Sequence, residues 1–369
     1  MSSVLAAISL LIPSLALWIL SVALVLLMCS ILIFILLYLL HKLYRKRKIK
    51  KLNTFYSDLI SEIVLAESHQ ERELFICQPS ARPLLDEIRK HRYAQELLID
   101  ELVLISRAFS GTALDNIQWI YSHLKLDTVT KRQLQSGRWH QKAKAVQTLS
   151  QLKFMAAIEL ISPLAGHSNY HVRAEAQLAA VRLKGFNGLH FLNQINYQLP
   201  DWQQISLLHE LVLHGSPDDK DIAVWLTSVN NSVVEFTLRA IETFRLAPMY
   251  EHVRNCLCHP STLAQLQAVK TLKSLWQPGA AIALRSAFPS AAPNVQLAII
   301  TVLYEMGNDD DLAFFIPLLN HHNPSVRLKA AFAIQGTGAH RNEVLQKEID
   351  TARALWPLIH NDAENSEAA

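Results

Sequence analysis

Four side chains within eight residues, His252, Cys256, Cys258 and His259, have the chemistry to hold a zinc ion, because thiolate and imidazole are its preferred ligands. Their spacing works against it. Cys256 and Cys258 are two residues apart, which on a helix turns their side chains about 200° from one another. The chain has 4 Cys, one of them Cys29 inside a long apolar run, a pattern that fits free thiols in a reducing compartment rather than a disulfide framework. Among 16 His, His167, His171, His321 and His322 fall in turn-forming stretches, where solvated residues are expected rather than ligands. Arg138-Trp139-His140 places an aromatic ring between two potential cations and reads as a packing anchor. Asp309, Asp310 and Asp311 stand where a helix begins, so dipole complementarity explains them without calcium. No nucleophile has a neighbouring base, no Glu-His pair falls at metal-binding helical spacing, and the 10 Gly form no phosphate-binding loop. The expectation is a chain without catalytic residues, metal or cofactor.

The elements that would position these residues follow a 31-residue beat. Anchors at Gln141, Val172, Gln203, Val233, Ala264, Val295 and Val326 are 31 apart, except for one step of 30 between Gln203 and Val233. Eight residues past the anchors stand Leu149, Ala180, Leu211, Ile241, Leu272, Leu303 and Ile334. Eight before the last six stand Leu164, Ile195, Trp225, Cys256, Ala287 and Leu318, and eleven before them Ile161, Leu192, Ile222, Val253, Leu284 and Phe315. All are apolar. Recurrence at this spacing predicts a pair of amphipathic helices in each window, and it places the Cys256 thiol in the core. Turn formers separate the two helices: Gly166, His167, Ser168 and Asn169; Asn230, Asn231 and Ser232; His322, Asn323 and Pro324. One such pair cannot bury its apolar stripe, whereas stacked pairs build a continuous core.

Asn323-Pro324-Ser325-Val326-Arg327, followed by Ala330, Ala331 and Ile334, resembles the second-helix signature of HEAT repeats, in which a turn Asn or Asp precedes Val-Arg and small residues. Ser168-Asn169-Tyr170-His171-Val172-Arg173 with Ala176 repeats it, while the windows at Gln141 and Gln203 replace the Val by Gln. The resemblance covers roughly residues 137 to 340, and the whole layout is similar to single-pass bacterial membrane proteins with HEAT repeats. It implies an all-α fold, an armadillo-type α-solenoid of about seven two-helix repeats, and no particular reaction, because such arrays host many unrelated partners.

From Val4 to Leu40 the chain runs 37 residues without Asp, Glu, Lys, Arg or His, well beyond the roughly 20 needed to cross a bilayer. A cleaved signal peptide is disfavoured because no basic residue precedes the run and the run exceeds the usual length of such a core. A hairpin of two spans is disfavoured because Ser14 to Leu40 holds no Gly, Pro, Asn or charge to turn it. One long helix, bent or begun at Pro13, is expected. Lys42, Arg45, Lys46, Arg47, Lys48, Lys50 and Lys51 follow it, which puts the remainder of the chain in the cytoplasm and the N-terminus outside the cell membrane. The same cluster would attract anionic lipid head groups, at about 1 kcal/mol per basic residue near the surface. Removing these seven from the 35 Lys and Arg leaves 28 against 32 acidic residues, so the remainder is mildly acidic and offers no basic surface for nucleic acid.

The expected organisation is an anchor over residues 1–41, a basic juxtamembrane segment over 42–51, a helical linker and cap over 52–136, the array over 137–345, and a helix end with an acidic tail over 346–369. Within the linker, helices are predicted for Leu52 to Glu67, Leu84 to Phe109 and around Leu114 to Leu124, with a break at Gln78 to Pro83. The functional expectation is a membrane-tethered, non-enzymatic scaffold for a partner protein, with no small-molecule substrate. Arg173, Arg239, Lys270 and Arg327, near the exposed side of the second helices, are the candidate contacts. The residue after the anchor, as at Arg173, Gln265, Gln296 and Arg327, is expected to point outward, just outside the apolar stripe. The alternative is an accessory subunit of a membrane-bound envelope polysaccharide synthesis or transport system, whose span packs against a catalytic partner.

Overall fold

A computed structural model describes residues 22–40, 42, 54–79, 81–214, 219–307, 311–336 and 350. Among these residues the chain is helical without strands, and it divides into two compact units, Met1–Arg132 and Gln133–Ala369.

In the first unit α1, Val22–Leu40, is long and apolar enough to cross a membrane, with a mean hydropathy of 3.1 and no buried residue. The earlier part of the apolar run lies outside the described residues. So do Arg45, Lys46, Arg47, Lys48, Lys50 and Lys51; Lys42 is helical and exposed. Five helices follow: α2 (54–64), α3 (His69–Cys77), α4 (Arg82–Lys90), α5 (Arg92–Ser106) and α6 (Thr112–His123). The stretch expected as one helix from Leu84 to Phe109 is two, because His91 is extended (φ −114°, ψ 110°) and starts a new helix. Buried polar groups fix the packing. Tyr56 Oη donates to the Ala94 carbonyl (2.9 Å), and Asn116 Nδ2 donates to the Val64 and Ala66 carbonyls (3.2 and 2.9 Å), closing the end of α2. The unit boundary falls inside α7 (Leu126–Gln135).

In the second unit every anchor sits in a helix: α8 (Trp139–Gln151), α10 (Tyr170–Lys184), α11 (Asp201–His214), α13 (Asn231–Phe244), α15 (Thr262–Leu275), α17 (Pro293–Met306) and α19 (Pro324–Gly336). The elements before them are shorter: α9 (Ile158–Ile161), α12 (Asp219–Trp225), α14 (Tyr250–Asn255), α16 (Ala280–Ala287) and α18 (Asp311–Leu318). Before α11 the expected helix is instead a 3₁₀ segment, Gly185–Asn193. Its Gly188 lies so close to α10 that a Cβ there would come within 2.3 Å of the Ala180 carbonyl oxygen. One apolar core runs from Val181 to Ile334. The positions eight past and eleven before the anchors are buried throughout; of those eight before, Leu164, Ile195 and Ala287 are half-buried and the rest buried.

Gln203 departs from the Val pattern and is still buried, because its amide donates to Gln177 Oε1, while Gln177 Nε2 donates to the Ala165 carbonyl (2.9 Å). A buried amide is tolerated where its hydrogen bonds are made.

Successive anchor helices pack side by side, α8 on α10, α10 on α11, α13 on α15, α15 on α17 and α17 on α19. The backbones of α11 and α13 approach least closely, and this is the junction where the 31-residue beat shortens to 30.

Candidate functional site

The four basic residues chosen from the sequence separate into two kinds. Arg173 Nη1 donates to the His167 and Ser168 carbonyls (2.8 and 3.2 Å), and its guanidinium lies over the Tyr197 ring at 4.2 Å. Arg327 Nη1 donates to the His321 and His322 carbonyls (3.0 and 3.4 Å). Neither side chain is free, and the same holds for Gln204, Gln265 and Gln296, which also stand just past an anchor. Gln204 Nε2 donates to the Leu199 carbonyl (3.0 Å), Gln265 Nε2 to that of His259 (2.8 Å), and Gln296 Nε2 to that of Phe288 (3.1 Å). At Gln296, which is buried, the expectation of an outward residue is corrected; Arg173, Gln265 and Arg327 are half-buried and bonded. A carbonyl of the turn, or for Gln296 of the 3₁₀ segment before it, accepts a side-chain N–H from the following helix.

The histidines of these turns share the work. His167, His259 and His321 each accept, at Nδ1, the backbone N–H two residues on (2.9, 3.0 and 3.1 Å), and Ser228 Oγ accepts that of Asn230 in the same way (3.2 Å). Asn169, Asn230, Ser261 and Asn323 then cap the helices that follow. This takes His259 out of the zinc constellation by one ring nitrogen. Cys256 is buried, its thiol pushed up to about 11 by burial, whereas Cys258 is exposed. No group of three metal-binding side chains occurs among the described residues.

Trp139 stacks on His171 (4.8 Å between rings), Tyr170 meets Trp202 edge-on (5.8 Å), and buried Trp225 donates to Asn193 Oδ1 (2.7 Å). Asp311 is buried and paired with Arg285 of α16 at 2.5 Å, a partner that the dipole argument did not foresee; Asp309 and Asp310 lie outside the described residues.

Arg239 and Lys270 come together at a cleft of about 420 Å³ between α11, α13 and α15. Arg239 pairs with Asp201 across the α11–α13 junction (2.9 Å). Deeper in, Glu235 is buried and receives one long hydrogen bond, from Ser261 Oγ at 3.5 Å. Burial raises its carboxyl above the usual range; Arg239 opposes the rise and Asp201 adds to it. Gln204 also lines this cleft and is 1% exposed, yet its Oε1 has no hydrogen-bond partner among the described residues. Leu199, Pro200, Leu263 and Leu266 supply apolar walls.

Lys270 also lines a second cleft, of about 800 Å³, shared by α13, α15 and α17. Trp276 stands here 63% exposed, and it and Arg245 both hold a left-handed backbone (φ 50° and 51°). Among the described residues Arg245 and Lys270 have no ion-pair partner, whereas Lys273 pairs with Glu305 (2.6 Å) and Glu242 accepts from Gln267 Nε2 (2.5 Å). Sequence reasoning missed Glu235, Gln204 and Trp276. The single 30-residue step was the available signal for the first two, and Trp276 followed no pattern.

No known family profile matches the chain, and no characterised protein matches it in sequence. Solved structures do align over most of its length. An engineered protein aligns with 14% identity over 81% of this chain and 82% of its own, at a TM-score of 0.30. The tumor overexpressed gene (TOG) domain arrays of microtubule polymerases, described for tubulin recruitment and assembly, align with 14% identity over 84% and 87%, at 0.28. Human deoxyhypusine hydroxylase aligns with 12% identity over 84% and 98%, at 0.24. At these TM-scores the likenesses carry no functional argument, and the reading below rests on the clefts.

Proposed function

We propose that this chain is a membrane-tethered, non-enzymatic scaffold that binds a partner protein along α11, α13, α15 and α17, through a HEAT-like array held on the cytoplasmic side by α1. The observation that carries the reading is Trp276. A large ring held mostly in solvent, on a backbone conformation costing an L-residue roughly 1–2 kcal/mol, is disfavoured twice over. Beside it stand Arg245 and Lys270, two cations without ion-pair partners among the described residues. Trp and Arg are among the residue types enriched in protein-binding hot spots. The basic residues after α1 orient the tether.

Site-specific photo-crosslinking in native membranes tests this. A crosslinker in place of Trp276 or Lys270 should give one discrete protein adduct, and one in place of Leu160, which is exposed on α9, should give none. The same smear from all positions, or no adduct from any, rejects the reading. Exchanging α1 for an unrelated span should leave the adduct in place. Its loss would favour the accessory-subunit alternative, in which the span itself makes the contact.

A further inference from the structure

The rings at the N-terminal ends of α8, α10 and α11 form one connected ridge. Trp139 meets His140 edge-on (5.8 Å) and stacks on His171 (4.8 Å), His171 meets Tyr170 (5.5 Å), and Tyr170 meets Trp202 edge-on (5.8 Å). Trp139 and Trp202 are each 47% exposed, so two of the largest apolar side chains stand half in solvent on one edge. The charges beside them do not serve the fold either. Asn169, Asn230, Ser261 and Asn323 cap their helices, whereas α8 has Arg138 at that place, with no side-chain cap hydrogen bond, and Lys142 one turn on. Cations at a helix N-terminus oppose its dipole. Neither has an ion-pair partner among the described residues, and residues 133–158 hold no Asp or Glu. On α10 and α11 the carboxylates are engaged elsewhere: Glu175 and Glu210 stand by Arg182, and Asp201 pairs with Arg239.

We infer that this ridge rests on the membrane surface, Trp139 and Trp202 among the lipid headgroups and Arg138 and Lys142 on anionic phospholipid. The inference rests on the tethered reading of α1 and adds a second membrane contact, made by the array itself. Indole rings favour the bilayer interface, where an apolar body and a polar N–H are both accommodated, and unpaired basic side chains are drawn to an anionic leaflet. A tether keeps even a weak contact of this kind occupied, because the surface is always near. Single-stranded nucleic acid fits less well. Its bases need open ring faces in succession, but Trp139 and His171 already cover one another (25° between planes) and Tyr170 stands nearly perpendicular to Trp202 (79°). Trp276 lies just past the C-terminal end of α15 and outside the ridge, so the two surfaces share no residue.

The test uses the full chain in lipid nanodiscs of phosphatidylcholine with or without phosphatidylserine, made with plain lipid or with lipid brominated near the headgroup end of its acyl chains. Bromine quenches indole fluorescence at short range, and the emission lost in Trp139→Phe, Trp202→Phe and Trp276→Phe assigns each ring its share. With phosphatidylserine present, bromination should remove at least about half of the Trp139 and Trp202 shares and leave that of Trp276 unchanged. Arg138→Glu with Lys142→Glu should lift most of this quenching at an unchanged melting temperature, since Glu suits the start of a helix. A chain that co-elutes with the discs while Trp139 and Trp202 keep their emission overturns the inference and leaves the tether standing. One that does not co-elute rejects both. Equal quenching of all three rings, or quenching that is indifferent to phosphatidylserine and to the double variant, also overturns the inference. So does binding of a single-stranded oligonucleotide that Trp139→Ala and Trp202→Ala abolish, without quenching by lipid.

Discussion

The turn edge of the array and the α11–α13 junction are built from the same few residue types and reach opposite ends. At the edge, Arg173, Gln265, Gln296 and Arg327 recur one place past the anchor and each closes a turn carbonyl of its own repeat. At the junction, Gln204 makes the same turn bond but its second amide atom is orphaned, and Arg239 reaches to another helix, Asp201 on α11, instead of its own turn. In this chain a polar residue that keeps the beat is spent on the fold. The one that sits where the beat slips keeps a buried amide oxygen without a hydrogen-bond partner among the described residues.

The first way to break that comparison is to attack what both regions share. Leu272 is fully buried in the common core, so Leu272→Asp should cost about 3–5 kcal/mol and unfold the neighbouring repeats, read by urea denaturation with circular dichroism. A loss below about 1 kcal/mol would mean that the helices are not stacked in this register.

A smaller effect separates the edge from the junction. Arg173→Ala removes charged hydrogen bonds to two turn carbonyls and a ring contact, and should cost about 1.5–3 kcal/mol. Lys270→Ala, which removes an exposed charge with no ion-pair partner among the described residues, should stay within about 0.5 kcal/mol. Equal melting of the two variants would erase the distinction.

The smallest expected effect is the pH dependence that the edge histidines contribute. Burial lowers the His259 and His321 pKa values, His322 and Arg327 lowering the latter further, and each Nδ1 accepts an N–H that protonation would turn away. With folded pKa values below the unfolded one of about 6.5, the two histidines contribute fully above that value and lose their contribution as pH falls through the folded pKa. Ser228 does the same work without titrating, so His259→Ser should reduce the stability lost between about pH 7 and about pH 5. An unchanged acid dependence in that variant would remove His259 from the account.

Much of the fold was legible because apolar positions at helical spacing are a local property of sequence. Leu149 through Ile334 at eight past each anchor are all buried, and turn residues such as Asn169 and Asn323 cap the helices they precede. Less legible were the interruptions. His91 divides a predicted helix, and Gly185–Asn193 winds as 3₁₀, since close backbone approach and local hydrogen bonding leave no mark in apolar periodicity. The site was harder still. Two of the four chosen cations belong to turns, and Glu235 and Gln204 resemble any other polar residue in the chain.

The sequence by itself determined the beat, the long apolar run at the front, and which faces of the helices are buried, because these follow from the order of apolar and polar residues along single elements. Only the tertiary structure decided which polar groups satisfy one another, because a hydrogen bond needs an acceptor and donor at one place and that place is set by how separate helices pack. Gln204 and Gln265 read identically in register, yet among the described residues Gln204 alone of the two carries a buried carbonyl without a partner, and its place at the looser α11–α13 junction accompanies that difference.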